Sequence, residues 1–481
     1  MSYKTRVDRV DWKTKNSDPD EQLTREIDEI SSRSADLYRT NALAHGIIQC
    51  KSTYVIGKGL LASPQIDGEY LGLDQETSSR YNKIIKREWE SFSNTTEIDL
   101  RGQNTFNELQ EIVYKSKLMQ GNGITLLSLA PRRSTPWLTK IQPIDPTLLE
   151  NEDNSPNTVR LCGGIQSTSR GEVSHYHFLL THSDTGKIDA KWQTWSVVRK
   201  YGSSTGLANI THSFRCEQPG MLRGVSELAP VAALLKNLDD YIKSVVDASL
   251  LSSQMFMFVK TPDGDGYNIG RGEATGRENT YEVNGITATN LAEGEEVQFN
   301  NPTMPQSTFD GFLISILKPI AAAVEIPLEI LIKYFTSSYS AARFGTLDFT
   351  RTIQRERTQF ANSFLLPIYD RFMFELALKD ILPMRGYFID HRVQAAWKKV
   401  SFNGQGFGAI NPMQEINSEL LLVDRGLKTL DEVALSLDGE SSWEDRQPQV
   451  ERERSIAKAN LPPVTVDQTI LMQPQQGKPN E

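Results

Sequence analysis

Gly202-Ser203-Ser204-Thr205-Gly206 matches the G-x-S-x-G pattern of a nucleophile elbow, and a strand-like run precedes it. That motif needs a helix next, so that backbone N–H groups can form an oxyanion hole. Here Leu207-Ala208-Asn209-Ile210-Thr211-His212 follows and reads as strand or loop. The segment therefore reads as a hairpin loop. The alternative is a serine hydrolase built on Ser204, with His212 or His391 as its base. His175 and His177 share one face of a strand, with His182 nearby. Two histidines at that spacing can ligate a metal, but a site needs three or four ligands, and Cys162 and Cys216 have no motif spacing. Exposed strand histidines are the expectation, with no metal site.

Gly264, Gly266, Gly270 and Gly272 make a Gly-rich run, yet Arg271-Gly272-Glu273 stands where a phosphate loop needs Lys and Ser/Thr at a helix start. No nucleotide or other cofactor site is expected, and any ATP-driven process would need a partner protein. No pair of carboxylates stands out as an acid–base dyad. The reading is that the chain is not an enzyme and has no catalytic residues.

The elements that would hold such residues belong to a chain of 481 residues, with 23% charged and 38% hydrophobic residues and a formal net charge of -9. That composition suits a multi-domain globular protein. The acidic balance argues against tight binding by a phosphate-neutralising surface. Cys50, Cys162 and Cys216 are too sparse for a disulfide framework. The polar N-terminus lacks the apolar core of a signal peptide. The apolar stretch from Ile314 to Ile332 is interrupted by Lys318, Pro319, Glu325, Pro327 and Glu329, so no membrane contact is expected.

Periodicity predicts one helix from Asp20 to about Val55, a second from Arg80 to Ser93, and a third from Phe106 to Met119 capped by Asn104 or Thr105. Gly121-Asn122-Gly123 stops the third helix, and Ile124–Leu129 reads as a strand. A β-rich stretch runs to Gln218. A long helix is predicted from Ser226 to Leu251, with Leu228, Val231, Leu235, Leu238, Ile242 and Val245 as an alternating three-and-four packing seam and Pro230 in its first turn. Strands are expected at Met255–Lys260, Tyr281–Val283 and Glu296–Phe299, and a helix from Phe309 to Val324. Lys333–Ser340 reads as a loop. A long helix from Ala341 to Leu382 should kink at Pro367. Its charged stretch from Arg343 to Arg357 reads as a solvated face. Two or three short helices follow over 411–460, then a Pro- and Gln-rich tail.

Several stretches, in order, resemble the lambda-like portal proteins of tailed bacteriophages. They are Ser34-Ala35-Asp36-Leu37-Tyr38-Arg39-Thr40-Asn41 with Ile56-Gly57-Lys58-Gly59-Leu60, Trp89-Glu90-Ser91-Phe92, and Phe106-Asn107-Glu108-Leu109-Gln110. Arg223-Gly224-Val225-Ser226-Glu227-Leu228-Ala229-Pro230-Val231 and Glu293-Gly294-Glu295-Glu296-Val297-Gln298-Phe299 follow. Ile320-Ala321-Ala322-Ala323-Val324-Glu325-Ile326-Pro327 and Ser340-Ala341-Ala342-Arg343 complete the set. The similarity spans about residues 20–460 and departs from the family near Ile332-Lys333-Tyr334-Phe335 and in a longer β segment at 165–215.

The resemblance implies an α+β portal fold that forms a ring of about twelve copies, a closed cyclic assembly. It implies a flexible N-terminus at 1–19, a wing-like α/β region at 20–223, a stem helix at 224–253, a clip-like β-rich insertion at 254–305 and a second stem helix at 306–332. A tunnel loop at 333–341, a long kinked tunnel helix at 342–382, a crown-like helical region at 383–460 and a disordered tail at 461–481 follow. The implied function is a DNA channel at one vertex of the virion capsid, assembled in the host cytoplasm. The genome would be packaged through it and later ejected. Implied partners are the terminase large subunit, the major capsid protein, head–tail connector or adaptor proteins, and duplex DNA passing without specific recognition. Thr336, Ser337, Ser338, Tyr339 and Arg343 would be the tunnel-loop residues. A smaller head–tail connector ring is the remaining structural alternative.

Overall fold

In the computed structural model, residues 19–180, 194–253, 257–260, 280–283, 286–289, 296–299, 306–335, 338–406, 412–438 and 443–460 are described. The chain divides into two compact units. One comprises residues 1–50, 118–122 and 215–338, and the other 51–117, 123–214 and 339–481.

In chain order the elements begin with α1 (Pro19–Thr40), α2 (Ala42–Val55), β1 (Leu61–Pro64), α3 (Gln75–Ser93) and α4 (Phe106–Gln120). Then come β2 (Asn122–Leu129), β3 (Thr139–Ile144), β4 (Leu161–Cys162), β5 (Ile165–Ser167), β6 (Val173–Leu180), β7 (Thr194–Arg199) and β8 (Ile210–Phe214). α5 (Ala232–Ser253) is followed by β9 (Met257–Lys260), β10 (Thr280–Val283), β11 (Ile286–Thr289), β12 (Glu296–Phe299), α6 (Gln306–Ala323) and α7 (Leu328–Ile332). α8 (Tyr339–Phe360) and α9 (Leu366–Leu378) are joined by a π-helical turn at Ala361–Leu365. α10 (His391–Trp397), β13 (Val400–Asn403), α11 (Pro412–Asp424), α12 (Leu430–Asp438) and α13 (Trp443–Asn460) close the chain.

The first helix is two helices, not one. Asn41 turns its side chain back, and its Oδ1 accepts the N–H of Ala44 at 2.9 Å, so it caps α2 and breaks the run. Its Nδ2 reaches the carbonyl of Leu235 in α5. At the start of α4 Glu108 reaches back to Thr105, as the sequence suggests for a cap there: its Oε2 accepts both the Thr105 N–H at 2.7 Å and its hydroxyl at 2.8 Å, the carboxylate half of a capping box.

The second unit is built around the α8–α9 run. Pro367 has no N–H, and its ring would strike the carbonyl four residues back. The chain opens into the π turn just before it, where the N–H of Leu366 reaches Ala361 O. The expected kink is therefore a widened turn, and the helix ends at Leu378 rather than 382. The run buries Phe360, Phe364, Leu365, Ile368 and Phe372. Phe372 stacks edge-on against Trp89 with centroids 5.1 Å apart and lies 5.0 Å from Trp137, while Trp89 meets Phe106 at 5.3 Å. The aromatic residues of two resemblance motifs thus share one core.

Polar side chains on the same run fasten it to its neighbours. Arg357 donates to the carbonyls of Val55 at 2.9 Å, Tyr54 at 2.8 Å and Gln405 at 2.8 Å. Two of these are last-turn carbonyls of α2, which have no partner inside their own helix. Burial pushes the Arg357 guanidinium below its ordinary value, but an arginine stays charged at neutral pH. Arg371 donates to Ala208 O at 2.7 Å and Asn209 Oδ1 at 2.6 Å, next to β8. Glu375 accepts the N–H groups of Leu138 at 2.9 Å and Thr139 at 2.7 Å at the start of β3. Glu356, fully enclosed, pairs with the equally enclosed Lys117 of α4 at 2.8 Å. The charged stretch from Arg343 to Arg357 is thus not wholly a solvated face, since its last two charges have partners far along the chain.

In the sheets, the described ladders are antiparallel. β2 pairs β3 from Ile124↔Ile144 to Leu129↔Thr139, and β8 lies on the other side of β2. β4, β5, β6 and β7 form a four-stranded sheet. β1 pairs with the distant β13.

Removing one partner of a buried ion pair leaves the other charged and desolvated. Lys117→Met should cost about 3–5 kcal/mol of stability. Replacing both partners, Lys117→Met with Glu356→Leu, should recover most of that, as read by thermal or urea unfolding.

Candidate functional site

The sequence places its candidate DNA-facing residues at the start of α8. Thr336 and Ser337 lie outside the described residues. Ser338 is exposed and immediately precedes α8, and Tyr339 is the first residue of that helix. Arg343 is exposed one turn in, with Phe344 at 75% and Leu347 at 54% exposure beside it. The two halves of α8 differ. Phe349, Ile353, Glu356 and Phe360 are buried at helical spacing, while the first ten residues carry no core side chain among the described ones. The back half is clamped through Glu356 and Arg357.

The stem-packing seam is placed unevenly. The helix starts at Ala232, not Ser226, because the preceding backbone is spent elsewhere. The N–H of Glu227 goes to Leu118 O at 2.9 Å, and Ser226 Oγ donates to the same carbonyl at 3.3 Å. Pro230 therefore sits in a turn ahead of the helix rather than in its first turn. Leu228 and Val231 are buried in that turn, and Leu235 and Leu238 are buried within α5. Ile242 is 38% exposed and Val245 half-buried. α5 packs on α6 through Tyr241, whose ring lies 4.6 Å from Phe312 and 6.0 Å from Phe309.

The Arg223-to-Val231 motif acquires a physical role here. Asn122, wholly buried, takes the N–H of Gly224 on its Oδ1 at 2.8 Å and gives its Nδ2 to the Gly224 carbonyl at 3.3 Å. Gly121, at φ +79, lies so close that an added Cβ would stand 2.4 Å from that carbonyl oxygen. A second amide does the same elsewhere. Gln110 Oε1 accepts the Leu60 N–H at 2.8 Å, and its Nε2 donates to Leu60 O at 3.3 Å. Gly59, at φ +110, would put a Cβ 2.4 Å from the Asn107 side chain. Sequence reasoning found these motifs but not their pairing. The signal available was a buried-type amide in one motif and a glycine in its partner.

The chemical motifs are placed as follows. Ser204 lies in an exposed turn closed by Gly206 N–H to Gly202 O at 2.9 Å, and the chain runs on into strand β8 rather than a helix. The oxyanion geometry of an elbow is therefore not built at Ser204. His212 is half-buried with its Nδ1 3.3 Å from the Tyr176 hydroxyl, and His391 is exposed at the start of α10. His177 faces Gln166 and Glu152. His175 has its Nδ1 3.1 Å from Ser174 Oγ and is held below the ordinary histidine value by burial and by Arg199. His182 and the glycines at 264, 266, 270 and 272 lie outside the described residues. Among the described residues, no three His, Cys, Asp or Glu side chains gather as a metal site, and no helix is long and apolar enough to cross a membrane.

Comparisons with known proteins bear on most of the chain. The family described as phage portal protein, lambda family, matches residues 6–357. Portal protein B of Escherichia phage lambda is 20% identical over 442 residues, covering 87% of this chain and 82% of the relative. The portal protein of Escherichia phage N15 is 21% identical over 476 residues, covering 94% and 89%. Among solved structures, a chain from the virion of a native gene transfer agent particle aligns with a TM-score of 0.44 and 13% identity, covering 86% of this chain and 94% of that one.

Gly121→Ala should collapse the Gly224 contact and leave little soluble protein. Gly220→Ala, at φ +93 but facing open space, should cost far less. Asn122→Leu strands a buried peptide N–H and C=O and should cost about 1–3 kcal/mol for each group left unpaired. Soluble yield and melting temperature of the three variants check this ordering.

Proposed function

The chain belongs to the lambda family of phage portal proteins, and we propose that it forms the ring-shaped channel at one capsid vertex through which the genome is packaged and ejected. The observation that carries this reading is the family match across residues 6–357. A closed ring suits the half-covered helices. Ile242, Val246 at 51% and Leu250 at 59% lie at four-residue steps along α5, a stripe that a neighbouring copy would cover. In this reading α5 and α6 are the stem, β9–β12 belong to the clip, and the front of α8 with Thr336, Ser337 and Ser338 borders the tunnel. Residues 383–460 form the crown.

A terminase motor would dock on the clip during packaging, the capsid shell would surround the ring, and head–tail connector proteins would follow once the head is full. Duplex DNA must slide without sticking. Short hydroxyl side chains and an acidic chain of net charge -9 suit weak, rapidly exchanged phosphate contacts. The lack of a phosphate-loop pattern in the sequence fits a conduit whose motor is another protein.

Lysines at the tunnel would hold phosphate too well. Ser337→Lys with Ser338→Lys should leave ring assembly unchanged and lower packaged DNA per head about tenfold or more, an effect eased by added salt. Quantifying nuclease-protected DNA in assembled heads reads this. Normal packaging by a ring carrying those lysines would overturn the assignment of the loop.

A further inference from the structure

Few apolar side chains are buried among the described residues of the C-terminal helices α11–α13. Among the described residues from Pro412 to Asn460, Val433 and Ala434 are the apolar side chains that reach full burial. α11 and α13 both pack on the nine-residue α12 between them in sequence. Arg446 donates to Ala434 O at 3.0 Å, and the Trp443 N–H reaches Asp431 Oδ1 at 2.7 Å. That leaves large apolar groups in water. On α11, Met413 is 65% exposed, Ile416 38% and Leu420 43%, a three-and-four spacing that suits helix-on-helix packing. On α13, Trp443 is 40% exposed.

The two helices carry matching stripes. Met413, Ile416, Leu420 and Asp424 follow one face of α11, and Trp443, Gln447, Val450 and Arg454 follow one face of α13. Each stripe starts with an exposed large apolar side chain, and each ends eleven positions later in an exposed charge. Those charges are opposite, Asp424 on α11 and Arg454 on α13. Laid side by side in parallel over about 16 Å, Met413 falls opposite Trp443 and Asp424 opposite Arg454.

We infer that, in the ring, α11 of one copy packs in parallel on α13 of the next. Such a head-to-tail contact uses two different faces of each copy and closes only in a ring. The occupant of the stripe is thus a second copy of this chain, and the inference rests on the ring reading above. Burial of Met413 against Trp443 and of Leu420 against Val450 supplies the apolar part, and the terminal charges set parallel over antiparallel packing.

The test uses the full chain with Cys50, Cys162 and Cys216 replaced by serine. Asp424→Cys and Arg454→Cys are made singly and together, and treated with a short bis-maleimide under conditions where mass measurement shows assembled rings. The double variant should give a ladder of covalent multiples on denaturing gels. A mixture of the two single variants should give dimers, and each single variant alone should give monomer. Rings that yield only monomer bands in both the double variant and the mixture would overturn the α11–α13 contact while leaving the ring reading standing. If the wild-type chain forms no ring at all, both readings fall together. Should the double variant fail to assemble, the mixture decides: dimer supports the contact, and its absence from assembled rings overturns it.

Discussion

A side-chain amide presents N–H donors and a C=O acceptor on a flat frame, so it can match the N–H and C=O of a peptide residue. Two buried amides use this match. Asn122 holds both backbone groups of Gly224, and Gln110 holds both backbone groups of Leu60. An unpaired peptide group in either place would carry its full desolvation penalty. Close approach is part of the arrangement, which is why a glycine stands at each contact, Gly121 beside one and Gly59 beside the other. Leu60, Gln110 and Gly224 each belong to a stretch that resembles the family, and these contacts pair segments that read each other's backbone.

A second set of polar anchors extends the same logic in the unit that holds α8 and α9. Arg357 closes the open carbonyls of α2, Arg371 and Ser363 hold β8, and Glu375 satisfies the start of β3. Lys379, whose ammonium sits 3.8 Å from the centre of the Trp137 ring and donates to Pro136 O at 2.7 Å, completes the series. These groups lie in a helical run whose first ten residues carry no core side chain among the described ones.

The sequence was legible where one period dominated. The helices at Phe106–Gln120 and Gln306–Ala323, and the strands at Thr280–Val283 and Glu296–Phe299, fall close to where periodicity and turn residues put them, whereas α3 begins at Gln75 behind an Asp74 cap rather than at Arg80. It failed where a single side chain overrode local preference. Asn41 splits a helix whose flanks are both helical, and the docking of Glu227 and Ser226 on Leu118 delays α5 although the apolar spacing runs through without a break. β11 was missed because Ile286-Thr287-Ala288-Thr289 is short and half polar, with no apolar run to mark it. Glu356 and Arg357 read as solvated because their partners, Lys117 and the end of α2, lie hundreds of residues away in the chain. The candidate tunnel residues were legible only through resemblance, since hydroxyls that must bind weakly leave no motif of their own.

The central claim is that this chain closes into a ring around a channel. Mass photometry of the purified protein, with negative-stain images of the same sample, tests it most directly. The account predicts a particle of about twelve or thirteen copies with a central hole, a closed cyclic assembly. A monomer or dimer at every salt and protein concentration, with no annular particles in the images, would contradict it.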